Sequence, residues 1–231
     1  MHPSFQADMA KKDHKKTNDA VQDLTSTESF FEKNKKVLAY AGIGIVVVII
    51  GYFGYQKLVV EPRAEESQDA YWNAFYEFAQ GDSTGVAVTG NENFMGFEEI
   101  SSEYAGTPGG EFSTYALGVT AMENGEFENA IAYFEDCTFE DVMLGTLTIG
   151  LIGDCYVELG QYEEAVAKFE EAAVREPNEY TSPMFYKKAG LVYQELGQND
   201  KAVIAYQKIK DDWSTSAEAA DIDKYIIRAQ N

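Results

Sequence analysis

The sequence predicts an all-α protein: a single N-terminal transmembrane helix followed by an α-solenoid of helix-turn-helix repeats. Three observations predict it. The stretch Val37 to Tyr55, VLAYAGIGIVVVIIGYFGY, carries no charge and no proline. As a helix with a rise of about 1.5 Å per residue it covers roughly 28 Å, close to the hydrocarbon thickness of a bilayer. Beyond it, glycines recur at fixed intervals: Gly118, Gly153 and Gly190 are spaced by 35 and 37, and so are Gly125, Gly160 and Gly197. Finally, Ala130-x-x-x-Phe134, Ala165-x-x-x-Phe169 and Ala202-x-x-x-Tyr206 repeat the same intervals, a period that marks stacked helix pairs.

In chain order, residues 1–24 read as a disordered cytoplasmic tail. Lys11, Lys12, Lys15 and Lys16 stand there among Asp13, Asn18 and Asp19, with too little apolar surface to offset the entropy of ordering. Both histidines, His2 and His14, fall in this tail, so no metal site is expected. Residues 25–60 form the juxtamembrane and transmembrane helix, with the span at about 37–55. Thr25 with Glu28 fits a capping box, and Phe30 and Phe31 suit the headgroup level. No small-residue cleavage site follows the apolar run, so it is read as an uncleaved anchor. The unbroken branched run Val46–Ile50 leaves no polar face for a soluble amphipathic helix. Lys33, Lys35 and Lys36 before the span outnumber Lys57 and Arg63 after it, which orients the N-terminus to the cytoplasm and the long domain to the other side.

Residues 61–231 form the repeat domain. Its units are a degenerate repeat at about 63–110, full repeats at 111–144, 146–179 and 183–215, and a capping helix at 216–229. The first helix of the degenerate unit is expected at Arg63–Gln80, and its second within FMGFEEISSEYAGTP, where Gly96 and Ile100 fall 34 residues before Ala130 and Phe134. The Gly- and Thr-rich segment Gly81–Glu92 reads as an irregular loop between them. Within each full unit, small residues let the two helices approach and large ones fill the gaps. Gly160 ends a helix where a Cβ would be strained, and Pro177 stops the next. Ser182 and Pro183 read as the N-cap and first-turn proline of the last unit.

Charge and motif content narrow the function. The formal net charge is −21. Residues 1–36 carry seven Lys against six carboxylates, whereas residues 37–231 carry 11 Lys or Arg against 33. A domain this acidic repels phosphate backbones, which excludes nucleic acid as a partner. The domain holds no His and no G-x-S-x-G, P-loop or Cys-x-x-Cys, so neither an enzyme nor a cofactor, metal or small-molecule substrate is expected. Cys137 and Cys155 are the only cysteines. Their register puts them on neighbouring helices, where they could form a disulfide or stand as two small buried thiols.

The unit IGLIGDCYVELGQYEEAVAKFEEAAVREP resembles a tetratricopeptide repeat (TPR), with its Gly, G-x-Y, A-x-x-x-F and terminal Pro. In proteins of that kind, certain first-helix positions line a concave protein-binding groove. The resemblance assigns those positions here to Phe112, Tyr115, Val119 and Met122, then Leu147, Asp154 and Val157, then Met184, Lys187, Leu191 and Gln194. The set is largely apolar and lacks the Lys/Asn arrangement that grips a C-terminal carboxylate, so it suits extended or partly folded segments. The groove could instead be partly covered by the terminal helix. The whole-chain layout is similar to the bacterial ancillary SecYEG translocon subunit (YfgM-like) family, in which F-F-x-x-N-x-K leads into the span as Phe30, Phe31, Asn34 and Lys36 do. That resemblance implies a non-enzymatic scaffold in the bacterial inner (cytoplasmic) membrane with a periplasmic repeat domain. Its expected partners are translocon components, a membrane-bound periplasmic chaperone or unfolded clients. The alternative is a structural organiser of another envelope complex, for cell division or secretion, that binds one folded partner.

Overall fold

A computed structural model describes residues 32–81 and 85–231. The expectations for residues 1–31, including the tail, the Thr25–Glu28 capping box and the Phe30–Phe31 pair, lie outside the described residues. Contacts divide the chain into two compact units, Met1–Glu61 and Pro62–Asn231.

The described part of the first unit is a single helix, α1 (32–55), which continues without a break as part of a helical run Glu32–Ala79. The run is long and apolar enough to cross a membrane by length and composition, and none of its most apolar window is buried. Ile45, Val47 and Val48 stand open to their surroundings like every other large side chain there. After α1 the helix widens into a π turn at Gln56–Val60, in which the Glu61 N–H donates to the Gln56 carbonyl. Sequence periodicity gives no sign of that turn. Pro62, which has no N–H to donate, follows immediately.

The second unit is all-helical. Among its described residues an isolated Asn91–Phe94 bridge is the sole β-type pairing. In order come α2 (Glu61–Ala79), α3 (Val86–Thr89), α4 (Phe97–Glu103), α5 (Pro108–Glu123) and α6 (Phe127–Asp136). They are followed by α7 (Val142–Glu158), α8 (Tyr162–Arg175), α9 (Thr181–Glu195), α10 (Asn199–Asp212), a 3₁₀ turn at Glu218–Asp221 and α11 (Ile222–Gln230). Each helix from α4 onward packs on the next, and α5–α6, α7–α8 and α9–α10 are the three full hairpins.

The three hairpins close in one way. After α5, α7 and α9 a glycine takes the left-handed conformation: Gly125 at φ 77°, Gly160 at 70° and Gly197 at 68°. Its N–H bonds back to the carbonyl of Met122, Val157 or Gln194, and the next N–H reaches the carbonyl of Ala121, Tyr156 or Tyr193 at 2.8 Å. This double bond pattern satisfies carbonyls that the helix end would otherwise leave unpaired. Inside each hairpin a second glycine seats an aromatic ring. A Cβ built on Gly118 would stand 2.6 Å from Phe134 Cε1, on Gly153 2.7 Å from Phe169 Cε1, and on Gly190 2.2 Å from Tyr206 Cε1. Those three rings and the alanines one turn before them, Ala130, Ala165 and Ala202, are fully buried. The intervals of 35 and 37 residues are therefore the spacing of one contact made three times.

The degenerate unit departs from this plan. Ile100 is buried as Phe134 is, but α4 has only seven residues, and Gly96 faces backbone: its Cβ would lie 2.3 Å from the Val88 carbonyl oxygen. The backbone it meets is that of the C-cap and last turn of α3, a short helix inside the segment expected to be irregular. Two positive-φ glycines bound it, Gly85 at φ 73° and Gly90 at φ 75°, and buried Ala87 joins Ala74, Phe97 and Ile100 in the local core. Apolar burial, which Gly and Thr content does not report, accompanies a single helical turn at Val86–Thr89, while the other described residues of the segment stay irregular. The start of the last unit also differs from expectation. Ser182 lies inside α9, whose N-cap position is Tyr180, and in the turn before the helix Asn178 Oδ1 accepts the N–H groups of Tyr180 and Thr181 at 2.9 Å each. Ser182 Oγ accepts from the Asn178 N–H at 3.1 Å, so Pro183 is the third residue of α9. The segment 216–229 divides into the 3₁₀ turn and α11, with Ser216 Oγ accepting the Ala219 N–H.

Candidate functional site

The eleven groove positions all lie on α5, α7 and α9, the first helices of the three hairpins. None is fully buried; ten are half-buried and Leu191 is exposed, at 38%. They do not behave as one uniform surface.

At the α5 end the aromatic positions are part of the packing. The Phe112 ring centre lies 5.5 Å from that of Tyr71 and 5.4 Å from that of Phe139. Tyr115 lies 5.6 Å from Phe134 and 5.8 Å from Phe139. An aromatic chain thus ties α2, α5, α6 and the α6–α7 connection together. Burial pushes the Tyr71 hydroxyl up to about 12, with nearby Tyr115 adding to the effect. Val119 and Met122 lie against the core shared by α5, α6 and α7, and Leu147, Val157 and Met184 against the core of the later helices. These five keep partial exposure and form the apolar part of the face.

The polar positions already have partners. Asp154 accepts Lys188 Nζ on both carboxylate oxygens at 2.7 Å. Lys187 Nζ pairs with Asp221 at 2.9 Å and lies 4.5 Å from the centre of the Tyr225 ring. Gln194 Oε1 accepts both the Tyr206 hydroxyl at 2.9 Å and an Arg228 N–H at 2.7 Å. Burial opposes the charge on Lys187, but the Asp221 hydrogen bond and the neighbouring Tyr225 outweigh it and raise its pKa. The same bond holds the Asp221 carboxyl below its ordinary value. The terminal segment therefore reaches back over the α9 positions: Asp221, Tyr225 and Arg228 close on Lys187 and Gln194 and leave Leu191 open. The predicted groove positions are thus half-exposed along α5 and α7, with Phe112 and Tyr115 engaged in packing, and partly covered by the terminal segment at α9.

The two cysteines do not bridge. Cys137 and Cys155 are both free thiols. Cys137 Sγ faces the Tyr133 carbonyl at 3.4 Å, as the last turn of α6 directs it, while Cys155 is wholly buried in the α5–α7 core. Burial first, then the Glu111 and Asp136 carboxylates, pushes the Cys137 thiol up to about 12; burial and Asp154 push Cys155 up to about 11. Thiols held so far above the usual value of about 8.5 remain protonated and unreactive.

Sequence reasoning missed Arg175 altogether. From the last turn of α8 it projects into a cleft of about 340 Å³ beside Phe134, Phe139 and Ile152. There Nη2 donates to the Phe139 carbonyl at 2.8 Å, and Nη1 to the Asp141 carbonyl at 3.1 Å and the Thr146 hydroxyl at 3.5 Å. Gly145 makes room for it, since a Cβ there would stand 2.3 Å from Nη1. The available signals were one of two Arg among the nine cations of residues 168–231 and another α7 glycine, Gly145, at the repeat interval of 35 from Gly110. Among the described residues, no group of three His, Cys, Asp or Glu side chains is placed to hold a metal ion.

Comparison with known proteins agrees with this architecture. The family described as "Tetratricopeptide repeat-like domain" matches residues 28–224. No curated protein matches the chain by sequence. Of the solved structures that resemble it, one titled "Crystal structure of MamA protein" superposes with a TM-score of 0.51 at 19% identity, covering 72% of this chain and 87% of that one. Another, "Crystal structure of MamA", gives 0.48 at 18% identity, covering 68% and 92%. At such identities the likeness concerns the fold alone. The matched family is a helical-repeat family, whose domains generally bind proteins, and not an enzyme family.

Proposed function

The chain belongs to the tetratricopeptide repeat-like domain family, and from that premise we propose that it is a non-enzymatic, membrane-anchored scaffold. Its repeat domain faces the bacterial periplasm and receives protein segments on the open part of the α5–α7–α9 face, as an accessory of the Sec translocon and its chaperones. The observation that carries the reading is the half-exposed apolar set Val119, Met122, Leu147, Val157 and Met184. It lies in a chain whose α1 has the length and apolarity of a single span. An apolar, methionine-bearing face accommodates varied partners because its side chains repack at little cost. Lys33, Lys35 and Lys36 support the orientation, and Phe30, Phe31, Asn34 and Lys36 support placement beside the translocon by resemblance.

The test is site-specific photocrosslinking in intact cells from Met122 and Leu191 of the full chain, with Glu163 on α8 as the off-face position. Adducts to nascent secreted chains or translocon components from the two face positions, with none from Glu163, are expected. Adducts confined to one folded envelope protein outside the translocon would replace this reading by that of an envelope organiser. Labelling from the cytoplasmic side of a cysteine introduced at exposed Glu163 (Glu163→Cys) would overturn the orientation.

A further inference from the structure

The repeat domain has a second surface, unrelated to the groove. Between Arg63 and Lys168 the sequence contains no Lys, Arg or His, while residues 64–167 carry 21 carboxylates. Residues 168–231 carry nine cations against 11 carboxylates. The acidity that composition spreads over the whole domain is in fact concentrated in its first half.

Charge alone marks no site, but α2 adds an apolar feature within that half. Trp72 and Tyr76 are 59% and 65% exposed, while their neighbours Tyr71 and Ala74 turn into the local core. At 3.6 residues per turn, Glu65, Asp69, Trp72 and Tyr76 fall within one arc of about 60° on the outer side of the helix. Trp72 is held in place by edge contacts with Tyr71 and Phe75, at 5.4 and 5.5 Å between ring centres. The cation nearest in sequence, Arg63, is engaged elsewhere: it donates to the Glu103 carbonyl and lies over the Tyr104 ring. An end helix of a repeat array ordinarily presents a polar outer face. Here it presents two large π faces flanked by carboxylates, a combination that attracts ammonium and guanidinium groups by cation–π and ionic contact together.

We infer that the outer face of α2, built by Trp72, Tyr76, Glu65 and Asp69, docks a lysine- or arginine-bearing helix of a partner protein. Charge complementarity argues for a foreign partner over a second copy, because six of the nine cations in residues 168–231 are already paired within the domain. Lys168 pairs with Glu171, Lys187 with Asp221, Lys188 with Asp154 and Lys210 with Asp223. Arg175 and Arg228 are bonded to backbone carbonyls and to Gln194. Carboxylates on both sides would also oppose α2 pairing with itself.

The chain contains two tryptophans, so Trp213→Phe leaves Trp72 as the sole reporter. Full-length Trp213→Phe in phosphatidylcholine nanodiscs is titrated with an alanine–lysine helical peptide of about sixteen residues, and with its alanine–glutamate counterpart. A saturable change in Trp72 emission with the lysine peptide only is expected. Glu65→Gln with Asp69→Asn should weaken binding five- to tenfold, whereas Glu163→Gln with Glu164→Gln on α8 should change it less than twofold. Trp72→Ala, read by calorimetry in the otherwise native chain, should abolish binding while circular dichroism stays unchanged. Equal weakening by the two carboxylate pairs would mean polyanion attraction without a site and would overturn the inference. So would an equal response to the glutamate peptide. Self-association that is lost in Trp72→Ala would overturn it in favour of a second copy, and a Trp72 shift on transfer to phosphatidylglycerol nanodiscs without peptide in favour of a lipid surface.

Discussion

Gly153→Ala tests the contact on which the repeat is built. An alanine in a helix interior ordinarily gains about 0.8–1 kcal/mol over glycine. Here the new methyl would stand 2.7 Å from Phe169 Cε1, 2.8 Å from Cδ1 and 3.2 Å from Cζ. Phe169 cannot swing away, since it is buried and stacks against Phe185 at 6.3 Å between ring centres. Overpacking a dense core costs typically 1–3 kcal/mol. Set against the propensity gain, the net is a loss of roughly 0–2 kcal/mol. Solenoid arrays do not always unfold in one step, so the measurement is amide hydrogen exchange of α7 and α8 in the full chain beside a denaturant midpoint. Two companions isolate the cause. Phe169→Leu should relieve the crowding, so the double variant Gly153→Ala/Phe169→Leu should be more stable than the single effects summed, with a coupling of about 0.5–2 kcal/mol. Gly160→Ala, at φ 70° with nothing within 4 Å of its Cβ, should lose about 1 kcal/mol from backbone strain and gain nothing from Phe169→Leu. If Gly153→Ala stabilises the protein, or if Phe169→Leu rescues Gly160→Ala equally well, the spacing of the glycines has another origin.

Two further outcomes follow from the same structure. Arg175→Ala should cost roughly 2–3 kcal/mol, because it strips charged donors from the Phe139 and Asp141 carbonyls; Arg175→Lys should not restore it, lacking the planar fork. Faster exchange over residues 138–146 is the readout, and unchanged exchange would refute the role. For the cysteines, the folded thiols ionise near 12 and 11, and unfolded ones near 8.5. The sign is that of a folded state binding protons the unfolded state releases: their contribution is intact below about pH 8.5 and declines as pH rises toward the folded values. Alkylation should accordingly be negligible in the native chain at pH 8 and complete on unfolding, with no mobility difference on a non-reducing gel. Rapid native-state labelling of Cys155 would contradict its burial.

How far the sequence reached depends on the range of the interaction. The hairpins were legible because Gly125, Gly160 and Gly197 end their helices by local backbone geometry, and because a glycine and its ring are always sixteen residues apart. The α3 helix was not, since four residues carry no readable period and Ala87 is helical through its burial against α2 and α4. Ser182 suits a cap by residue type, but it falls inside α9, and Asn178 from the preceding turn reaches two N–H groups at once. The groove was legible as a set of positions but not as a surface.

Sequence alone determined the repeat period, the span-length apolar stretch and the charge balance, since each rests on local spacing or on composition. Tertiary structure decided which groups remain available to a partner. Lys187 meets Asp221, Gln194 meets Arg228 and Asp154 meets Lys188, each across 34 positions of chain, and Arg175 meets Phe139 across 36. Burial and pairing of a side chain depend on elements brought beside it by packing, and no periodicity within its own helix carries that information. The same reason separates Trp72 from Tyr71: adjacent in sequence and alike in chemistry, they differ because one meets Phe97 and Phe112 and the other meets solvent.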